Sequence, residues 1–97
     1  MAKAFIVAHG RVQGVGYRSV VAYVAKKLGV SGSVRNADDG SVQIVACADK
    51  DSISRFIREI SISIKNGPDV MNVEVHYEGE PGYPKTTREY VGFSIER

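Results

Sequence analysis

Three glycines and an arginine lie close together in the connector 10–18, which reads GRVQGVGYR. The glycines are Gly10, Gly14 and Gly16, and glycine permits the positive φ angles that turn successive backbone N–H groups toward one point. Such amides, followed by the positive end of a helix, suit an oxyanion such as phosphate. The guanidinium of Arg18 can bind two phosphate oxygens at once and stays charged at any working pH. The connector therefore indicates a small phosphate site.

A simple turn would also explain these glycines. The segment GVGYRS at 14–19 lacks the third glycine of the dinucleotide-binding fingerprint and the Gly-Lys-Ser/Thr of the Walker motif. Glycine spacing alone therefore leaves the phosphate site and the turn both open.

Asn36 is the second residue whose position suggests chemistry. It keeps the inward parity of Val34, and an unpaired amide facing a core would lose roughly 1–3 kcal/mol of hydration. We therefore expect Asn36 to lie where the sheet ends and a cavity begins, within reach of the connector 10–18 if the two strands leave the sheet at compatible ends. A structural alternative is that Asn36 starts the turn 37–40 by bonding its own backbone.

The periodicity of apolar residues predicts the scaffold that must position these groups. Alternating and helical spacings predict strand 3–9, helix 20–28, strands 30–36 and 42–48, helix 53–64, and strands 71–77 and 91–95. The segment 78–89 carries two glycines and two prolines and reads as a surface loop. The order is β-α-β-β-α-β with a short additional C-terminal strand. Two helices on one face of an antiparallel sheet predict an α+β, ferredoxin-like sandwich.

Composition limits the class of protein. The chain has 97 residues, 43% of them hydrophobic and 25% charged, so we expect a single domain over 1–97. The longest apolar run, 20–25, is much shorter than the ~18 residues of a membrane span. The lone Cys47 forms no internal disulfide and no thiolate metal site, and we expect a cytoplasmic protein. The net charge of +2 is spread along the chain and predicts no general attraction to nucleic acid or membranes.

Two segments of the chain resemble the signature segments of the acylphosphatases. They are VQGVGYR at 12–18 and GSVRNADDGSV at 32–42, and KNGP at 65–68 and GFSI at 92–95 also resemble their counterparts. The resemblance covers nearly the whole chain. It implies a ferredoxin-like fold and hydrolysis of acyl phosphates to carboxylate and inorganic phosphate. It also implies that Arg18 grips the phosphate, that Asn36 positions the attacking water, and that the phosphate is held by the backbone amides of Gln13, Gly14, Val15, Gly16, Tyr17 and Arg18.

The chain departs from the family pattern at three positions. Ser33 stands where an aromatic residue is usual, Ala37 where threonine is common, and Ala48 where glycine is usual. Arg18 and Asn36, to which the resemblance assigns the chemistry, are intact. The departures bear on turnover rate and on the support of Asn36 more than on the reaction.

The implied reaction needs few side chains. Hydrolysis expels a carboxylate whose conjugate acid has a pKa of about 4, so no general acid has to protonate the leaving group. The transition state needs fixed donors for its spread negative charge and a water in line with the breaking bond. Loop amides and Arg18 would supply the donors, and the Asn36 carbonyl would orient the water. The proton would pass to the bound phosphate.

Two other functions compete with this one. An RNA-binding module of this topology would carry stacking aromatics on its central strands, and 41–48 offers none. A non-catalytic phosphate-binding module of the same fold stays open, because phosphate binding alone would account for the loop and Arg18. For the enzyme we expect a small-molecule acyl phosphate as substrate and inorganic phosphate as product and inhibitor. We expect a monomer with no cofactor, no metal and no nucleic-acid or membrane partner.

Overall fold

A five-stranded sheet with both helices packed against it forms the chain. The computed structural model describes residues 1–85 and 88–96. The elements are β1 Ala2–Arg11, α1 Tyr17–Leu28, β2 Ser31–Asn36, β3 Val42–Ala48, α2 Lys50–Ile60, β4 Asp69–Tyr77 and β5 Phe93–Ile95. The strand order is β4-β1-β3-β2-β5. All neighbouring strands are antiparallel except β2 and β5, which are parallel. The predicted ferredoxin-like sandwich with an additional C-terminal strand is therefore confirmed, and that added strand runs parallel to its neighbour.

The core lies between the inner face of the sheet and the two helices. Strand residues of one parity are fully buried, as in Ala4, Ile6 and Ala8 of β1 and Ile44 of β3, and they form one hydrophobic cluster with helix residues. This alternation follows from the two-residue period of a strand whose one face is covered. Tyr17 is 1% exposed, and its hydroxyl donates a 2.9 Å hydrogen bond to the carbonyl oxygen of Ile60. That bond joins the start of α1 to the end of α2.

Helix α2 ends four residues earlier than the periodicity predicts. It stops at Ile60, and Ile64 lies outside the helix with 48% of its surface exposed. The hydroxyl of Ser61 donates to the carbonyl of Ile57 at 2.7 Å, which competes with the helical ladder. The chain after Ile60 turns back instead, and Ser63 forms an isolated antiparallel bridge with Asp69. The prediction of a helix through Ile64 was wrong because the i+11 spacing coincides with a β-branched segment of period two.

A bulge alters the last part of the β1–β4 pairing. His9 pairs with Asn72 but Gly10 pairs with Val70, which leaves Met71 without a partner and 78% exposed. The predicted alternation starting at Met71 therefore fails there, and Val70 packs against the core in its place. Glycine is required at Gly10 because a Cβ would lie 2.3 Å from the carbonyl oxygen of Asp69.

The final strand is shorter than predicted. It covers Phe93–Ile95, whereas Val91 lies before it and is fully exposed. Phe93 is the core residue of this strand, and its ring lies 6.2 Å from that of Phe56. Ile95, the last residue of the strand, is 49% exposed.

Candidate active site

The connector between β1 and α1 bends at two glycines with left-handed backbone angles. Gly14 has a φ of 73° and Gly16 a φ of 79°. A Cβ at either position would meet no atom within 4 Å, so glycine is needed here for its backbone angles and not for lack of space. The resulting loop faces a cavity of about 120 Å³ lined by Val12, Gly14, Gly16, Tyr17, Arg18, Ser19 and Ile95.

Helix α1 begins without a side-chain cap. Gly16 occupies the N-cap position, offers no side-chain acceptor, and the first turn contains no acidic residue. The first helical bond runs from the N–H of Val20 to the carbonyl of Gly16 at 3.3 Å. Within 1–85 and 88–96, no backbone N–H of residues 13–19 donates a hydrogen bond. A run of unused donors at the positive end of a helix is the arrangement that binds oxyanions.

Arg18 is held in place by the last strand. Its Nη1 donates a 2.8 Å hydrogen bond to the carbonyl oxygen of Glu96. Glu96 continues the sheet, since its N–H donates to the Val34 carbonyl at 2.7 Å. Its carboxylate forms a 2.7 Å ion pair with Arg88. The contact between Arg18 and Glu96 spans 78 residues, and the sequence contains no signal that could have predicted it.

Asn36 is the last residue of β2 and is half-buried. It lines a cavity of about 510 Å³ together with Arg18, Ile95 and Glu96. Its side-chain oxygen Oδ1 is buried and, among the described residues, has no hydrogen-bond partner. The structure thus brings Asn36 and Arg18 to one cavity at the end of the sheet. The structural alternative, in which the Asn36 side chain starts the turn by bonding its own backbone, is therefore not observed among the described residues.

The side chain of Gln13 connects the loop to the turn that follows Asn36. Its Nε2 donates to the carbonyl of Ala37 at 2.7 Å and to that of Ser41 at 2.8 Å. From the sequence only the backbone amide of Gln13 was predicted to act, and no local signal indicates this role of its side chain. In the same turn, hydrogen bonds from the hydroxyl and the backbone N–H of Ser41 hold the pKa of Asp39 below its usual value. Asp39 is therefore a turn-forming residue.

The two histidines share one carboxylate partner. His9 and His76 both lie within ion-pair distance of Glu74 on the exposed face of β1 and β4. Hydrogen bonding to His9 holds the pKa of Glu74 below its usual value. Among residues 1–85 and 88–96, no three His, Cys, Asp or Glu side chains are grouped to hold a metal ion. The helices in that part of the chain are 12 and 11 residues long, too short to cross a membrane.

Known proteins of one family resemble this chain in sequence and in fold. The family model described as Acylphosphatase matches residues 4–95. An acylphosphatase of Enterococcus faecalis is 52% identical over 63 residues, which are 65% of this chain and 69% of that protein. The crystal structure of an acylphosphatase from Bacillus subtilis superimposes with a TM-score of 0.81 and 30% identity over the full length of both chains. An acylphosphatase from Coxiella burnetii gives a TM-score of 0.78 at 28% identity, covering 98% of this chain and 92% of that one. The chain therefore belongs to the acylphosphatase family and is an enzyme that hydrolyses acyl phosphates to carboxylate and inorganic phosphate.

Proposed function

We propose that the phosphate of the substrate binds in the loop 13–18 and that Asn36 directs the water that attacks it. The observations that carry this proposal are that Arg18 and Asn36 line one cavity and that the side-chain oxygen of Asn36 has no hydrogen-bond partner among the described residues. An acceptor of this kind can take one hydrogen bond from a water and so fix its orientation.

The phosphate is held by backbone amides and one guanidinium. The proposed donors are the N–H groups of Gln13, Gly14, Val15, Gly16, Tyr17 and Arg18, which is supported by their lack of other partners in the described chain. The hydroxyl of Tyr17 points into the core toward Ile60, so Tyr17 contributes its backbone alone. Arg18 donates one N–H to the Glu96 carbonyl, and its other N–H groups can donate to phosphate oxygens.

The reaction is a displacement at phosphorus. The water oxygen forms a bond to phosphorus as the bond from phosphorus to the bridging oxygen breaks, and both electrons of the breaking bond leave with the carboxylate. Negative charge spreads over the phosphoryl oxygens during this step, and donors that are already in place stabilise it without reorganisation. The departing carboxylate needs no proton because the pKa of its conjugate acid, about 4, lies well below working pH.

The proton of the attacking water passes to the phosphoryl oxygens. The donors around the phosphate are amides and a guanidinium, none of which accepts a proton at working pH. A carboxylate or imidazole that served as base would add a limb to the pH profile of kcat, and that limb would disappear when the residue was replaced.

We further propose that residues 1–97 act as a single domain, as a cytoplasmic monomer that uses no cofactor. One hydrophobic cluster contains residues of both helices and of β1, β2, β3 and β5, and Val73 and Val75 of β4 pack against it, which supports a single unit. The large exposed apolar side chains, among them Tyr23, Met71 and Val91, come from different parts of the chain, which supports a monomer. The single cysteine is free and buried, which fits a reducing compartment.

The decisive experiment is hydrolysis of a model acyl phosphate in water labelled with oxygen-18. Attack at phosphorus places the label in inorganic phosphate and leaves the carboxylate unlabelled. Label in the carboxylate would mean attack at the carbonyl carbon and would overturn the assigned roles. Added inorganic phosphate is expected to inhibit competitively, since it occupies the same loop.

A further inference from the structure

Tyr17, the first residue of α1, belongs to two parts of the molecule. It lies in the loop 13–18, here called the phosphate loop, and lines the cavity of about 120 Å³ together with Gly16 and Arg18. Its side chain is buried, and its hydroxyl donates a 2.9 Å hydrogen bond to the carbonyl oxygen of Ile60, the last residue of α2. One residue therefore connects the proposed phosphate donors with the end of the other helix.

The end of α2 depends on this hydrogen bond. The last carbonyl groups of a helix have no partner within the helix. The N–H of Ile64, which would bond the Ile60 carbonyl if α2 continued, donates to the carbonyl of Pro68 at 2.8 Å instead. Ile60 is fully buried, and a buried carbonyl without a donor is unfavourable. Burial raises the pKa of the Tyr17 hydroxyl, so the hydroxyl keeps its proton and stays a donor at working pH.

The same hydrogen bond restrains the start of α1. Gly14 and Gly16 give the phosphate loop backbone freedom, and Gly16 offers no side chain to cap the helix. The ring of Tyr17 packs in the hydrophobic cluster, and its hydroxyl is bonded to Ile60. The two peptide planes that carry the N–H groups of Tyr17 and Arg18 meet at the Cα of Tyr17. Fixing the Tyr17 side chain at both the ring and the hydroxyl therefore limits the rotation of both N–H groups.

We propose that the Tyr17 hydroxyl is a positioning group for the reaction: through its bond to Ile60 it keeps the N–H groups of Tyr17 and Arg18 in the orientation that binds phosphate. This inference rests on the proposed binding of phosphate in the phosphate loop. Donors that are fixed before the substrate arrives stabilise the developing charge without reorganisation, so loss of the bond lowers rate as well as affinity. Because coupling between two sites is reciprocal, bound phosphate in turn stabilises the end of α2.

The kinetic test uses Tyr17→Phe, which removes the hydroxyl and keeps the ring. At a temperature where circular dichroism shows the variant to be folded, kcat/KM for a model acyl phosphate is expected to fall about tenfold and the inhibition constant of inorganic phosphate to rise about threefold.

Two controls separate positioning from stability. Tyr23→Phe deletes the same hydroxyl from the same helix, at a residue that is 67% exposed. Ile53→Val removes one methyl group from a fully buried side chain of α2 and so lowers stability away from the phosphate loop. Both controls are expected to stay within about twofold of the wild type in kcat/KM and in phosphate inhibition.

Hydrogen exchange measured by NMR tests the coupling from the other end. The N–H of Ser61 donates to the carbonyl of Ile57 at 3.2 Å in the last turn of α2. Saturating inorganic phosphate is expected to slow the exchange of this amide about threefold or more in the wild type and to leave it nearly unchanged in Tyr17→Phe. The N–H of Gly29, which donates to the carbonyl of Lys26 at 3.4 Å at the far end of α1, is the internal reference.

The outcomes distinguish this inference from the proposed phosphate site. A folded Tyr17→Phe that loses no more activity and phosphate affinity than Ile53→Val shows that the hydroxyl serves stability alone and overturns the inference, while the phosphate site stands. Exchange at Ser61 that phosphate does not slow in the wild type overturns it as well, and this measurement decides alone if Tyr17→Phe does not fold. A wild type in which inorganic phosphate does not compete with the substrate overturns the phosphate site itself.

Discussion

The side-chain nitrogen of Gln13 lies 2.7 Å from the carbonyl oxygen of Ala37. This hydrogen bond, with its companion to Ser41, joins the phosphate loop to the turn directly after Asn36. The groups proposed to bind phosphate and to orient water are therefore held at a fixed separation by one residue. A displacement of about 1 Å in such an arrangement can cost about a hundredfold in rate.

Gln13→Met is expected to lower kcat/KM roughly tenfold, since methionine keeps the length of the side chain but donates to neither carbonyl. The loss should fall mostly on kcat, because the backbone amides that bind phosphate are still present. Steady-state kinetics with the competitive inhibition constant of phosphate measures both effects. A variant within twofold of the wild type would show that the connection does not position the site.

Asn36→Ala is expected to lower kcat by roughly a hundredfold or more while the inhibition constant of phosphate changes by only a few-fold. The reason is that the water loses its acceptor while the phosphate loses no contact. Asn72→Ala is the matched control, because Asn72 is an exposed asparagine of β4. Equal losses of rate and phosphate affinity in Asn36→Ala would contradict the assigned role.

Arg18→Lys is expected to reduce both phosphate affinity and kcat, by roughly a hundredfold or more in kcat/KM. A lysine cannot bind two phosphate oxygens and the Glu96 carbonyl in the planar geometry of a guanidinium. Arg58→Lys on the exposed face of α2 makes the same change away from the site and should behave as the wild type. Retention of phosphate affinity in Arg18→Lys would indicate that the amides alone bind the anion.

Gly16→Ala and Gly29→Ala are expected to destabilise the fold by similar amounts, about 1–2 kcal/mol each. Both glycines have left-handed angles, φ 79° and 70°, and neither has an atom within 4 Å of the position of a Cβ. The backbone strain that alanine would introduce is therefore matched at the two positions. Gly16 lies in the phosphate loop at the N-cap of α1, whereas Gly29 lies at the C-cap. Phosphate affinity should fall in Gly16→Ala and not in Gly29→Ala. Chemical denaturation and phosphate inhibition test the two statements separately.

The N-cap of α2 makes part of the stability dependent on pH. Hydrogen bonds from the backbone N–H and the hydroxyl of Ser52 hold the pKa of Asp49 below its usual value. As pH falls, the Asp49 carboxylate therefore takes up a proton at higher pH in the unfolded chain than in the folded chain. The stabilisation by the ionised Asp49 side chain is therefore fully present above the usual pKa of about 4 and is lost as pH falls through the folded-state pKa.

Asp49→Asn keeps an N-cap acceptor that does not titrate. Its Tm is expected to fall less than that of the wild type between about pH 7 and about pH 3, by about 2 °C or more. Thermal unfolding at both pH values measures the difference, with Asp51→Asn in the same first turn as control. A parallel decrease in all three proteins would assign the acid sensitivity to other carboxylates.

Local periodicity predicted most of the elements because each one buries a single face. The two-residue alternation of β3 and the helical spacing of α1 were enough to place them, and Gly29 ends α1 as predicted. The helix predicted through Ile64 was wrong, and the alternation predicted for strand 71–77 fails at Met71, whereas Val73, Val75 and Tyr77 pack against the core as predicted. After α2, Ser63 bridges to Asp69 instead of continuing the helix, and at Met71 a bulge in the pairing with β1 interrupts the alternation. In both cases pairing with another segment outweighed local spacing.

The amino-acid sequence by itself determined the identity of the candidate site residues, because a glycine-rich connector, an arginine and an asparagine at a strand end are local features. Only the tertiary structure decided that Arg18 is held by Glu96 and that Gln13 joins the loop to the turn. The physical reason is that these contacts join residues far apart in the chain. Which pairs meet is set by how the sheet and the helices bury their apolar faces, and no short segment of sequence carries that information.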